Sequence, residues 1–397
     1  MEYHYLDNAA TTRPSDAALE GMRQAEQYYG NPSSVHGAGM EANRFLTACR
    51  GKIAAALGLS PLAPNRLILT SSGTEANNIA ILGCAYAKKR KPVGNSLGTI
   101  LLSDGEHPSM EKPAQRLESE GYTVVRIPTA KGVLDLAALE TALTDAVSPV
   151  IFAGFMLVNN ETGALYDVRS AAALVKRHHP GALVHCDAVQ GFMKTRFTPK
   201  TLGVDTLTVS AHKIHGTRGA GALYIGADVE KQKKIVPVMP GGGQEFGYRS
   251  GTENLFAIGA FAHACQEEQS RFAANRAAEN TLRETLLSSI APLADEGVQF
   301  NIPEGTFVPG ILNLSLPAIR SEIMLNYLSG KGIYVSAGSA CSAHAHKESA
   351  ALKAFGLSPE AMDCALRISF DHTNTEGDIL ALAAALKEGI AGLQRKR

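Results

Sequence analysis

The sequence predicts an α/β protein in two parts, a large domain built on a mostly parallel sheet and a smaller α+β domain after it. Short β-branched or aliphatic runs alternate with helix-length segments from Arg66 to about Ser210. That is the pattern of repeated βαβ units whose sheet is covered on both faces. Near Leu255 the pattern changes to one long helical stretch, then to short strands interleaved with helices. A chain of 397 residues, 45% hydrophobic and 19% charged, is long enough for two cores. These changes assign 13–254 to the large domain, and 1–12 with 255–397 to the small one.

In chain order, Tyr5–Thr12 reads as a short extended piece entering polar turn chemistry. A helix follows, capped at Ser15, with Leu19, Met22 and Ala25 on one face. Gly30-Asn31-Pro32-Ser33-Ser34-Val35-His36-Gly37 interrupts regular structure, either as an ordinary loop or as a functional one presenting Asn31 and His36 to a ligand. Strands are expected at Leu67–Thr70, Thr99–Ser103, Thr123–Ile127, Val150–Val158, Leu183–Cys186 and Val204–Val209. Helices are expected at Thr74–Lys89, Ser109–Glu120, Asp135–Leu143 and Val168–His178. After Leu255, Ala257, Ala260, Phe261 and Ala264 share one face of a helical region that runs through Glu267 to Leu287. Strands Ile311–Leu316 and Gly332–Val335 follow, and a last helix runs from Thr375 to near Leu393.

Composition narrows the function classes. Lys plus Arg equals Asp plus Glu, so the formal charge is zero and no basic excess argues for nucleic acid or a membrane surface. The six cysteines show no CxxC pairing, which argues against a zinc site or a disulfide framework and for a reducing compartment. Met1–Asn8 has neither a basic nor an apolar leader region, and no stretch approaches the roughly 20 apolar residues of a membrane span. The expectation is a cytoplasmic protein without a metal.

Ligands of such sheets bind beyond the carboxyl ends of the strands. The residues there are Ser71-Ser72-Gly73-Thr74, Asp104-Gly105-Glu106-His107, Asn159-Asn160-Glu161, Asp187-Ala188-Val189-Gln190 and Ser210-Ala211-His212-Lys213. A lysine at a buried strand end, where it can be desolvated, is a candidate amine nucleophile. Together these groups are the parts needed to hold pyridoxal 5'-phosphate. Lys213 supplies the covalent linkage and Asp187 the carboxylate at the ring nitrogen. His107 stacks on the ring or shuttles protons, and Asn160 and Gln190 are donors suited to the phenolic oxygen. The turn opening at Gly73 suits a phosphate, with Thr74, Ser210 and His212 as further donors.

These blocks, with Tyr5–Thr12, Gly30–Ser34, Gly241-Gly242-Gly243-Gln244-Glu245, Arg249-Ser250-Gly251-Thr252 and Gly338-Ser339-Ala340-Cys341-Ser342, resemble those of the cysteine desulfurases of NifS/IscS type. These are fold-type I pyridoxal phosphate enzymes of the class V aminotransferase group. The resemblance spans nearly the whole chain in one order. It implies a seven-stranded sheet in the large domain, and the cofactor roles just given for Lys213, Asp187, His107, Gln190, Asn160, Thr74, Ser210 and His212. It further implies that Thr252 reaches the phosphate of a neighbouring subunit in a homodimer, and that Arg367, assisted by Asn31, grips the substrate carboxylate.

Cys341 lies in a run of small residues beside His344 and His346, where a mobile, exposed thiol is expected. The other five cysteines sit in apolar periodic segments and read as buried structural thiols. The implied reaction converts L-cysteine to L-alanine, with the sulfur taken as a persulfide on Cys341. A protein acceptor, such as an iron–sulfur scaffold or a tRNA-thiolation protein, would then receive it. The chain departs from the resemblance at Thr217, at Asp371-His372 and in ending at Arg397 without a longer tail, departures that bear on the acceptor and on substrate preference. The alternatives are a selenocysteine lyase, an aminotransferase for a small amino acid, and a non-catalytic sulfur-relay partner.

Overall fold

Neighbouring residues of the central strands serve opposite cores. Leu67 and Leu69 enter one apolar cluster and Ile68 the other; Leu101 opposes Ile100 and Leu102, and Val184 and Cys186 oppose Leu183. Side chains alternate across a strand, so an unbroken apolar run requires cover on both faces. The computed structural model describes residues 3–60, 63, 66–87, 96–337 and 349–394.

The strands in chain order are β1 (His4–Tyr5), β2 (Leu67–Thr70), β3 (Thr99–Ser103), β4 (Thr123–Ile127), β5 (Val150–Met156) and β6 (Leu183–Asp187). They continue with β7 (Thr206–Ser210), β8 (Gly221–Ile225), β9 (Gln299–Phe300), β10 (Ile311–Ser315), β11 (Ile333–Tyr334) and β12 (Ala365–Ser369). Seven form one sheet in the order β2-β8-β7-β6-β5-β3-β4. The expected mostly parallel seven-stranded sheet is therefore present. Its exception is β8, which runs antiparallel between β2 and β7. At the site end of the sheet β8 begins at Gly221, where a Cβ would lie 2.6 Å from the backbone carbon of Ser72. Only glycine allows that approach.

A second sheet, β12-β10-β9, is antiparallel, and β1 pairs with β11. The helix Leu255–Ile290 joins the two cores, because Leu255–Cys265 supplies the large one while Leu282, Leu286 and Ile290 supply the small one. Its Gly259 crosses Gly21 of the helix Asp16–Ala25 backbone to backbone, where a Cβ on Gly21 would lie 2.3 Å from Gly259 O. The unassigned stretch after Gly37 is a helix, Gly37–Ala56, capped by the His36 ring, whose Nδ1 accepts from Gly39 N–H at 3.3 Å. Among the described residues no helix is long and apolar enough to cross a membrane.

Gly221→Ala is expected to lower stability by about 1–3 kcal/mol, because the clash is with backbone that cannot rotate away. A urea melt of the purified variant measures it, and an unchanged midpoint would contradict the close approach.

Candidate active site

Five strands of the large sheet end at one cleft of about 270 Å³. It is lined by Gly73 and Thr74 after β2, His107 after β3, Asn160 after β5, Asp187 and Gln190 at the end of β6, and Ser210, His212 and Lys213 at the end of β7. Arg367 enters from β12 of the small sheet. Ten of the residues expected from sequence thus share one cavity. Thr252 is exposed and Asn31 caps its own turn, its Oδ1 accepting from Ser33 N–H at 2.9 Å; neither lines the cleft. Cys341, His344 and His346 lie outside the described residues. Of the other cysteines, Cys49, Cys84, Cys186 and Cys265 are buried and Cys364 is half-buried.

Asp187 is buried, 5% exposed, and so needs firm partners. Its Oδ2 accepts from Asn77 Nδ2 at 2.7 Å and its Oδ1 from Val189 N–H at 3.0 Å. Asn77 is the hub of this network. Its Nδ2 also donates to Ser109 Oγ at 2.8 Å, and its Oδ1 accepts from His185 Nε2 at 3.0 Å. Burial holds the His185 pKa down to about 3, so the ring is neutral. With its proton on Nε2, its Nδ1 receives the Thr206 hydroxyl at 2.9 Å.

His107 caps the helix Pro108–Ser119, with Nδ1 accepting from Ser109 N–H at 3.1 Å and lying 2.8 Å from Ser109 Oγ. Nδ1 is thereby the acceptor, and the ring proton belongs on Nε2. Burial lowers the His107 pKa, the Asp187 carboxylate opposes that and the Lys213 ammonium adds to it. The preceding Glu106 is fully buried, and burial raises its pKa to about 8 although the Ser103 hydroxyl donates to it. Its proton keeps a second full negative charge away from Asp187.

The N-terminal stretch pins the lysine turn. Thr12 N–H donates to His212 O at 2.9 Å, His215 N–H to Thr12 Oγ1 at 2.7 Å and Ser15 N–H to His215 O at 2.9 Å. Lys213 Nζ donates to Ala10 O at 2.7 Å and also to Ala9 O, and Gln190 Nε2 donates to Ala9 O at 2.7 Å. His212 is held to about pKa 4, by burial first and then by Lys213 and Arg218, so it is neutral near pH 7. The Ser210 hydroxyl is buried at the cleft without a hydrogen-bond partner among the described residues. Beside it, Ser72, Gly73 and Thr74 bring the positive end of the helix Gly73–Tyr86 to the cavity. Arg367 is 2% exposed; its Nη1 donates to Asn160 O at 3.0 Å and its Nη2 to Asp7 Oδ1 at 2.7 Å.

A small second cavity that shares Lys213 with the cleft is lined by Lys194, His215, Glu268, Arg276, Glu279, Asp371 and His372. His215, Glu268 and His372 could together approach a metal ion. The cations Lys194 and Arg276 in the same wall favour a proton there instead. His215 Nε2 lies 3.2 Å from Asp371 Oδ2, an ion-pair distance without hydrogen-bond alignment, and its Nδ1 lies 3.0 Å from Arg13 O. Burial works against charge on His215, but the Asp371 carboxylate outweighs it and raises the pKa to about 9. Asp371 is likewise held far below the carboxylate range, its burial outweighed by His215 and by Thr373.

Sequence reasoning missed Asn77, Ser109, Asp7 and the Ala9 and Ala10 carbonyls as parts of the site. Asn77 carried a weak signal as one of two adjacent amides opening an otherwise apolar helix, and the structure buries it. Backbone carbonyls carry none.

The aminotransferase class-V family model matches residues 4–382. The chain belongs to that family, among its NifS-like cysteine desulfurases. A cysteine desulfurase from Nostoc sp. is 33% identical over 397 residues, covering 99% of this chain and 94% of its own. A solved structure described as a NifS-like protein is 33% identical with a TM-score of 0.87, covering 98% of this chain and all of its own. Another, "SspA in complex with cysteine", is 26% identical with a TM-score of 0.75, covering 92% of this chain and 98% of that one. Enzymes of this family depend on pyridoxal phosphate.

The His215–Asp371 pair makes stability depend on pH in a defined direction. The raised His215 pKa contributes stability fully below about pH 6.5, its unfolded value. That contribution is lost as pH rises through about 9. The depressed Asp371 pKa contributes above about pH 4 and is lost in acid. His215→Gln is expected to cost roughly 2–3 kcal/mol at pH 6.5 and much less at pH 9.5. Thermal melts at both pH values check this; an equal loss at both would contradict the ion pair.

Proposed function

We propose that this chain binds pyridoxal 5'-phosphate and removes sulfur from L-cysteine, releasing L-alanine and leaving a persulfide on Cys341. One observation carries the reading. A lysine amine, a buried carboxylate and a buried hydroxyl without a partner among the described residues, beside a helix N-terminus, line the same cleft. This is the donor set the cofactor requires. Asp187 would face the ring nitrogen, and Ser210, His212 and the amides at Gly73 and Thr74 the phosphate. The cofactor, when bound, supplies an electron sink conjugated to the substrate's α-carbon.

The residues' own chemistry follows from their bonds. Lys213 Nζ is the amine that would hold the cofactor, and as a free amine it would take up the proton lost from the substrate α-carbon. Asn77 keeps the Asp187 carboxylate oriented toward the cleft, and the protonated Glu106 leaves it the local negative charge. His107, neutral with its proton on Nε2, is a donor toward the cleft and not a base. Arg367 offers the carboxylate of L-cysteine a planar guanidinium that Asp7 already holds in place. The Cys341 thiolate would attack the substrate sulfur, so that the S–S bond forms as the substrate C–S bond breaks. The cysteine bound in the related SspA structure supports an amino acid of this size as substrate. A homodimer would bring Thr252 to the partner's phosphate, and a protein thiol would accept the sulfur.

Incubation with L-cysteine and a thiol reductant is expected to give alanine and sulfide in equal amounts. Cys341→Ala is expected to lower both by at least about 100-fold, the scale for loss of a nucleophile. Unchanged alanine from the variant would sink the persulfide route. No alanine from either protein would turn attention to selenocysteine and amino-group acceptors.

A further inference from the structure

Both ends of the Gln190 amide are engaged. Oε1 accepts from Lys194 Nζ at 2.9 Å, and Nε2 donates to Ala9 O at 2.7 Å. An ammonium can only donate and a carbonyl can only accept, so one orientation of the amide satisfies both partners. Lys194 reaches back to Gln190 across its own turn, where Lys194 N–H bonds Gly191 O at 3.0 Å. It lies between the two cavities: Gln190 lines the cleft, while Lys194 lines the small cavity behind it.

We propose that Lys194 is a positioning residue that locks the Gln190 amide with its nitrogen as the group offered to the cleft. The inference rests on the cofactor reading above, in which Gln190 serves the phenolic oxygen. Nε2 carries a second N–H beyond the one given to Ala9. Lys194 therefore makes Gln190 a permanent donor, and never an acceptor, toward an oxygen in the cleft. With a neutral residue at 194 only the Ala9 carbonyl still holds the orientation, so the lock is weakened and the amide can turn over part of the time, presenting its carbonyl oxygen at the cost of the Ala9 bond and of an oxygen set against the Ala9 oxygen. A carbonyl favours the protonated form of a nearby oxygen and an N–H the deprotonated form.

The surroundings suit a charged Lys194. Burial pulls its pKa down to about 8, Glu279 and Asp371 support the charge, and Arg276 and Arg367 oppose it. The ammonium thus predominates near pH 7.

The test is a pH titration of the visible absorbance of the cofactor-loaded enzyme. Lys194→Met is expected to raise the midpoint by about 0.5–1 pH unit. Lys194→Arg, which still donates to Oε1, is expected to restore the wild-type midpoint. In a Gln190→Ala background Lys194→Met is expected to add almost nothing, because its route is gone. An unmoved midpoint in Lys194→Met, or an equal shift without Gln190, overturns the proposal. A second arm needs no cofactor. Thermal melts of the unloaded wild type, Lys194→Met, Gln190→Ala and the double variant near pH 7 form a cycle in which the double variant is expected to lose less stability than the two single variants combined. Losses that simply add overturn the contact itself. A wild type that takes up no cofactor sinks the functional reading, while the melting arm still decides the Lys194–Gln190 link.

Discussion

The Asp187 carboxylate at the end of β6 is the constraint around which the site is arranged. A buried charge of this kind is tolerated only when fully bonded, and it is bonded here by one local partner and one from a distant part of the chain. Val189 N–H comes from its own turn and Asn77 from the helix after β2. Asn77 in turn is oriented by His185 of β6 and reaches His107 through Ser109. One amide side chain thus fixes the carboxylate and the ring that lines the cleft beside it. Glu106 completes the arrangement by staying protonated.

The second constraint is the stretch from Asp7 to Ser15, a turn followed by an irregular segment, which ties the two cores across the lysine turn. Asn8 N–H bonds Ser369 O at 3.0 Å, at the end of β12, while Thr12 and Ser15 bond the turn that carries Lys213. Arg367 and Lys213 come from different cores, so their relative position rests on this stretch. The His215–Asp371 pair makes a parallel link between the same two elements. Substrate grip and amine chemistry therefore share a common mechanical support, and the buried charges behind Lys213 belong to it.

Much of this was legible in the sequence because parallel strands buried on both faces write unbroken apolar runs, and polar residues at their ends stand out. Lys213, Asp187 and His107 were found that way, and they do meet in one cleft. The antiparallel β8 was not legible, because Gly-Ala-Gly-Ala reads as a loop and its glycine is required by contact with Ser72, far away in sequence. The helix Gly37–Ala56 escaped because it starts at glycine and is capped by a histidine, outside the usual capping residues. Lys194 gave no signal at all, since a lysine in a turn normally points to solvent. Only the fold turns it back onto Gln190.

The central claim is that Lys213, among the amines near the cleft, holds the cofactor. The direct measurement is to load the protein with pyridoxal 5'-phosphate, reduce it with borohydride, digest it and locate the modified lysine by mass spectrometry. The account predicts one stoichiometric label on the peptide containing Lys213. A label on Lys194, or labels scattered over surface lysines, would contradict it.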